Sequence, residues 1–324
     1  MCEKPTLTRQ DLPMLSVFDP ALSKLVPVGD GPLPTGGWLH LEVPTEAELQ
    51  RLVAIGLPGE LLAHALDEDE LARIAHWPDS RSLVVLRVPR IAEAGDSVPF
   101  RATTLAVLVK DARAITVSRR PSELVNRLMR MPQDVELQRV AHLVPQLLLA
   151  AAVHFLELVR VIEHRVEGLE EDLHVSQRNA EMFGLLRYQK ALVHFTTAMA
   201  SNTIMLEGLV RDPHLGVRED DRELMDNAII ELRQAIEMTR IQEEILSQMM
   251  DAFASIISNN LNVVMKLLTA LTIVMTIPTM VASFYGMNVD LPGQHHAAAF
   301  MGVFGASVVA SVLLALWFWR KRML

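Results

Sequence analysis

Two uncharged apolar runs near the C-terminus constrain this chain more than any other feature. Leu267–Val289 holds 23 residues between Lys266 and Asp290, and Ala297–Trp319 holds another 23 before Arg320-Lys321-Arg322. About 20 apolar residues cross a bilayer core as a helix. Two such runs in succession predict a transmembrane hairpin, with helices at about 262–285 and 297–319. Trp317 and Trp319 beside the basic tail read as an interfacial anchor, and the three adjacent basic residues place the C-terminus on the cytoplasmic side. Two spans return the chain to its starting side. The long N-terminal part is therefore expected in the cytoplasm, with both termini inside an inner or plasma membrane and about ten residues facing outward.

Elsewhere the composition narrows the class. Half of the residues are apolar, the mean hydropathy is +0.24 and only 5% are aromatic, which excludes disorder and argues against an aromatic-rich β-sandwich. A net charge of −9 disfavours a nucleic-acid partner. The lone Cys2 excludes an internal disulfide or a Cys-cluster zinc site and fits a reducing compartment. Met1–Asp11, with Glu3, Lys4, Arg9 and Asp11, lacks the pattern of a signal peptide. Residues 1–140 read as a cytoplasmic α/β domain. Strands are expected at Trp38–Leu41, Ser82–Val88, Thr103–Val109 and Ala114–Ser118, the last two joined as a hairpin through Lys110–Arg113. Helices are expected at Thr45–Ile55, Pro58–Leu66 and Pro121–Arg130, and the Pro- and Gly-rich Val26–Gly37 reads as loop.

Residues 141–261 change character to long helices and a stalk. Leu143–Arg211 predicts two antiparallel helices that break near Asn179–Gly184, and Arg211–Gly216 predicts a turn. From Glu219 a single helix is expected to run unbroken into the first span. Met238, Ile241, Ile245, Met249, Ala252 and Ile256 form a 3–4 stripe on it, suited to bundling with further copies. Glu219–Asp251 carries ten acids against three arginines, and Glu157–Glu181 seven against three. Such faces are either solvated or a surface that attracts cations.

At the end of the first span stands Tyr285-Gly286-Met287-Asn288. With Asn262, Met265, Lys266, Leu268 and Thr269 at the span's entry, Pro278-Thr279 and Ala282-Ser283 later in it, and the basic tail, this stretch resembles the CorA family of divalent-cation channels. Leu66–Glu70, Arg73-Ile74 and Leu83–Val88 resemble a cytoplasmic stretch of the same family more loosely. The resemblance implies a homopentamer embedded in lipid. Its first spans would line a pore, its second spans would form an outer ring, and residues 262–324 would carry the Gly-Met-Asn loop between them.

In that arrangement Gly286, Met287 and Asn288, with Tyr285, are the expected selectivity filter. Asn262, Met265, Leu268, Thr269, Thr272, Thr276 and Thr279 follow helical steps and are the expected pore lining. Mg²⁺ sheds water reluctantly, so neutral oxygens suit its hydrated form. Gly286 is expected to let the backbone turn at the pore mouth. Thr276 departs from the family, which more often has an apolar residue there. Neither span contains a carboxylate, which argues against a proton-relay carrier. In the outer loop Asp290, His295 and His296 would attract cations, and imidazole suits Zn²⁺, Co²⁺ or Ni²⁺. Asp67, Asp69 and Asp226 are the expected regulatory Mg²⁺ ligands. His142, His154, His164, His174, His194 and His214 read as scattered helix residues, and nothing resembles an enzyme's active site or a cofactor motif. The leading function is Mg²⁺ uptake gated by cytoplasmic Mg²⁺. A Zn²⁺, Co²⁺ or Ni²⁺ transporter of the same family, or a non-conducting membrane-anchored coiled-coil sensor, are the alternatives. Polar Asn and Thr in the first span speak against the last.

Overall fold

The computed structural model describes residues 15–19, 24–29, 31–34, 36–77, 81–93, 96–110, 113–130, 139–176, 179–214, 217–287 and 298–321. The chain divides into two compact units, Met1–Ser247 and Gln248–Leu324. In the first, seven strands form one sheet: β1 (Leu15–Asp19), β2 (Lys24–Pro27), β3 (Gly37–Glu42), β4 (Arg73–Trp77), β5 (Arg81–Ile91), β6 (Phe100–Lys110) and β7 (Arg113–Ser118). Their order is β2-β1-β3-β7-β6-β5-β4. Every pairing is antiparallel except β3 with β7, which run parallel from Gly37 opposite Arg113 to Glu42 opposite Ser118.

Alternation along the strands builds two buried faces. Leu39, Leu41, Leu83, Val85, Ala106, Leu108, Ile115 and Val117 pack with Leu52 of α1 (Glu46–Ala54) and with Leu61, Leu62 and Ala65 of α2 (Gly59–Ala65). Val84, Leu86, Val88, Leu105 and Val107 point the other way and are also buried. That side is covered by α4 (Val140–Ser176) and α5 (Asn179–Val210), both of which contact β5 and β6. Burial on both faces is why these strands read as continuous apolar runs. Thr45 caps α1 through a reciprocal pair with Glu48, and α3 (Glu123–Arg130) packs on α4. The four expected strands lie within observed strands, and α1, α2 and α3 lie within the three expected helices, each starting one or two residues later. Val26 and Pro27 are not loop: they belong to β2, paired with Ser16 and Val17.

α4 and α5 are antiparallel, since Phe155 meets Phe195 at 5.0 Å between ring centroids and Leu169 meets Gly184. The break falls earlier than the sequence implied. α4 ends at Ser176, α5 begins at Asn179, and Gly184 lies inside α5. A Cβ on Gly184 would come within 3.0 Å of Leu169 Cδ1, so the glycine serves the close helix contact. Asn202 of α5 is fully buried and clasps the β5 backbone. Its amide donates to Arg87 O at 2.7 Å and its carbonyl accepts from Arg87 N at 2.8 Å.

After a turn at residues 211–214 comes α6 (Glu219–Tyr285), 67 residues long. At roughly 1.5 Å per residue it extends about 100 Å. Within the first unit it leans on α4 and α5 through Gln242–Glu163, Thr196–Glu243 and Arg233–Glu207. Its buried stripe is Met225, Ala228, Leu232, Ala235, Thr239 and Leu246. The sequence-predicted stripe is displaced from it: Met238, Ile241, Ile245 and Ile256 are 39–45% exposed within one chain. The acidic face also needs correcting. Asp221 is fully buried and paired with Arg139, so it is not part of a solvated or cation-attracting surface. His214 is no helix residue either. It lies in the turn after α5, its ring 4.8 Å from that of His76, and His76 is held by Asp212 at 2.7 Å.

Candidate ion-conduction site

Among the described residues three helices are long and apolar enough to cross a membrane: Ala141–Glu170, α6, and Phe300–Arg320 within α7 (Ala299–Arg320). Burial separates them. The apolar window of the first is 67% buried, against 6% in α6 and 11% in α7, so α4 is core and the other two present their apolar surface outward.

α7 covers one side of α6. Ala270 is fully buried, Ser307 and Ser311 of α7 are 5% and 9% exposed, and Leu314 shares a cavity with Ile273, Thr276, Ile277, Met280 and Val281. Pro278 explains one contact. It has no N–H, so the Val274 carbonyl four residues earlier lacks its helical donor. The Ser311 hydroxyl lies 3.4 Å from that carbonyl and also donates to Ser307 O at 2.9 Å. A carbonyl left open by proline inside a bilayer needs such a partner.

The hydroxyls of α6 lie on another side. At about 100° per residue, Thr269, Thr272, Thr276, Thr279 and Ser283 fall within an arc of about 80°. Its centre is about 150° from the α7 side, and Met265 lies at that centre with Leu268 and Asn262 within about 60° on either flank. All seven expected pore-lining residues therefore share this half of the helix. Leu271, Thr272, Met275, Thr276, Thr279, Met280 and Ser283 line an open groove of about 580 Å³ along it. Four hydroxyls are tied back to the helix: Thr269 donates to Met265 O (2.7 Å), Thr272 to Leu268 O (2.8 Å), Thr276 to Thr272 O (2.8 Å) and Thr279 to Met275 O (2.9 Å). With their protons engaged, they present lone pairs outward. Ser283 was absent from the sequence-predicted lining, although its four-residue step from Thr279 was the available signal.

At the end of α6, Gly286 N–H donates to Ala282 O (3.0 Å) and Ser283 O (3.2 Å), and Met287 N–H to Phe284 O (3.2 Å). Gly286 does not adopt a positive φ, and a Cβ there would meet Ala282 O at 3.4 Å, an ordinary contact. The expectation that glycine is needed to turn the backbone is thus not met; what it supplies is a missing side chain. Asn288, Asp290, His295 and His296 lie outside the described residues.

In the cytoplasmic unit Asp67 and Asp69 are exposed at the loop after α2, where Asp67 Oδ1 accepts the Asp69 N–H at 3.0 Å. Glu68 and Glu70 beside them are taken up by Arg120 (2.8 Å) and Arg73 (3.0 Å). Arg87 holds the loop from beneath by donating to the carbonyls of Glu68 and Glu70. Burial lowers the Arg87 pKa, and Asp69 and Asp67 oppose that shift. Asp226 is exposed on α6. Among the described residues no three His, Cys, Asp or Glu side chains converge so as to hold a metal ion.

Known proteins share this arrangement. The cobalt/magnesium transport protein CorA of Methanocaldococcus jannaschii is 25% identical over 88% of this chain and 90% of its own length. The complete structure of the CorA magnesium transporter from that organism superposes with a TM-score of 0.78 at 22% identity, covering 94% of this chain and 96% of the other. The full-length CmaX structure gives 0.67 at 19% identity over 96% and 97%. The family described as CorA-like Mg²⁺ transporter protein matches residues 36–322, from the start of β3 past the end of α7. A match over that length embraces β3 to β7 of the sheet, the long helix α6 and α7, and the chain belongs to the CorA family.

Proposed function

We propose that this chain is a passive Mg²⁺ channel that admits the ion down its electrochemical gradient. The carrying observation is the arc of hydroxyls on α6, free of ionised groups and lining an open groove, with Thr276 also bordering the cavity beside Leu314 of α7. Copies of α6 arranged around an axis with these arcs inward would enclose a path lined by acceptors. A hydrated Mg²⁺ presents water protons to its surroundings, and lone pairs that cannot donate suit those protons. Asn288, carried over from the Gly-Met-Asn pattern, would take the hydrated ion at the outer end. Met265 and Leu268 would form the apolar constriction.

The resemblance carried by the Gly-Met-Asn stretch implies a homopentamer, and the exposed stripe Met238, Ile241, Ile245 and Ile256 gives the stalk apolar surface to bury against other copies. Cytoplasmic Mg²⁺ between neighbouring subunits, held through water by Asp67, Asp69 and Asp226, would keep the bundle closed. The exposure of these carboxylates leaves them available for such bridging. A second reading, transport of a softer divalent ion, is favoured by His295-His296 and by the cobalt in the relative's name.

Flux into proteoliposomes at one fixed potential, with Mg²⁺, Zn²⁺ and Co²⁺ compared, tests the proposal. Mg²⁺ should enter fastest, and Asn288→Ala should abolish entry while native mass still shows a pentamer. Wild-type flux in Asn288→Ala would reject the filter assignment; Zn²⁺ entering while Mg²⁺ does not would establish the second reading.

A further inference from the structure

Apart from ion conduction, and independently of it, we infer that the cleft between α4 and α5 binds a small oligophosphate anion. The cleft measures about 410 Å³, within the range of small-molecule sites. Its walls include Arg165 of α4 and Arg187 and Tyr188 of α5, with Pro99 of the β5–β6 connection at its edge. Among the described residues no carboxylate lines it, a local excess of positive charge in a chain whose net charge is −9. The arginines are positioned but not neutralised. Arg187 Nε donates to the Ser97 carbonyl at 3.1 Å, which orients the guanidinium and leaves its terminal nitrogens for an occupant. Neither Arg187 nor Arg165 meets a carboxylate among the described residues. His164 adds less, because its Nδ1 already faces Glu167 at 3.2 Å. Tyr188 is backed by Phe100, with ring centroids 6.4 Å apart, and offers the cleft an aromatic surface and a hydroxyl.

Two glycines shape the same cleft. Gly168 and Gly184 both stand inside helices, where glycine weakens the element. Packing explains Gly184, whose Cβ would crowd Leu169. It does not explain Gly168, where a Cβ would meet nothing within 4 Å. The missing side chain at Gly168 instead keeps the cleft open. A guanidinium is a planar fork of donors that matches phosphate oxygens and keeps its charge at any physiological pH. A single phosphate would leave most of the cleft empty, whereas a chain of two or three can meet an arginine on each helix. Such a chain comes either as a free oligophosphate or as part of a nucleotide, whose base could lie on Tyr188. His164 follows Glu163, which bonds Gln242 of α6 at 3.2 Å, so the cleft adjoins a contact that ties this helix pair to the long helix.

The test is calorimetric titration of the full chain in an uncharged detergent, without divalent ions, using ATP and inorganic tripolyphosphate as separate probes. At least one should bind with a Kd below about 1 mM. Arg165→Gln and Arg187→Gln should each weaken that binding about ten-fold or more, the scale of a lost charge-assisted hydrogen bond. Gly168→Leu should abolish it by filling the cleft, and leucine is the better helix former, so the fold is kept. Arg222→Gln, beside the Asp221–Arg139 pair at the other end of α4, should bind as the parent does. Equal affinity for the two probes would mean that the phosphates alone are recognised. Tighter binding of ATP, reduced to the tripolyphosphate level in Tyr188→Leu, would identify a nucleotide. If neither probe binds, or if binding is unchanged in Gly168→Leu and in the two arginine variants, the inference is overturned. These titrations involve no flux, so that result would leave the Mg²⁺ channel proposal standing.

Discussion

Asp221→Asn should loosen the root of the longest helix. Asp221 sits in the first turn of α6 with no exposed surface. One carboxylate oxygen accepts from Arg139 and from the Arg218 N–H at 2.9 Å; the other faces His142 Nδ1 at 3.4 Å. The residue thus caps α6 and ties it to the start of α4. Removing one member of a buried ion pair costs about 3–5 kcal/mol. Arg139 is 25% exposed and can recover some hydration, which trims the cost to about 2–4 kcal/mol. For a unit of this size each kcal/mol moves the melting temperature by about 2–4 °C, so a fall of about 10 °C is expected. Thermal unfolding in detergent, followed by near-ultraviolet circular dichroism, measures it. A single variant that melts within about 2 °C of the parent would refute the reasoning.

Further expectations concern the sheet and the sensor. Asn202→Leu strands the Arg87 N–H and C=O in the interior and should cost about 2–5 kcal/mol in urea unfolding, from two unsatisfied groups. His40 is held near pKa 4 by burial, below the ordinary 6.5, so its neutral form is native. Stability from this group is complete above pH 6.5 and is lost as pH falls toward 4, by about 3 kcal/mol in all. His40→Gln should flatten that part of the stability–pH curve, and an unchanged curve would count against it. Protease protection of the cytoplasmic region should rise with Mg²⁺ in the parent and much less in Asp67→Ala/Asp226→Ala. A parent without Mg²⁺-dependent protection would end the feedback proposal.

The two apolar C-terminal helices were legible because they rest on local facts. Length and absence of charge suffice for a span, and α6 and α7 end within a residue or two of the expected positions. β5, β6 and β7 were legible because both faces are buried and their apolar runs are long. β1, β2 and β4 were not, since edge or near-edge strands such as Arg73–Trp77 owe their form to pairing with distant residues. Asp221 shows a different limit: a count of acids along a helix cannot tell a solvated carboxylate from one matched to Arg139, 82 residues away. The stalk shows a related limit. Two apolar stripes coexist on α6, and only tertiary packing reveals that Met225–Leu246 supplies the one buried within the chain. Along the groove on α6, Thr272, Thr276 and Thr279 were legible from their helical spacing, and Ser283 was one further four-residue step that the sequence reading did not take.

Potential-driven Mg²⁺ entry is the most direct measurement. In liposomes holding the purified protein, the potential is set by a potassium gradient with valinomycin and Mg²⁺ entry is followed by an internal indicator, with no pH gradient. A divalent ion gains about 4.6 kcal/mol per 100 mV. Entry should therefore rise steeply as the interior is made negative, should reverse with the potential, and should vanish in Asn288→Ala. Entry that ignores the potential and follows an imposed proton gradient, or no entry at any potential, would contradict a passive Mg²⁺ pore.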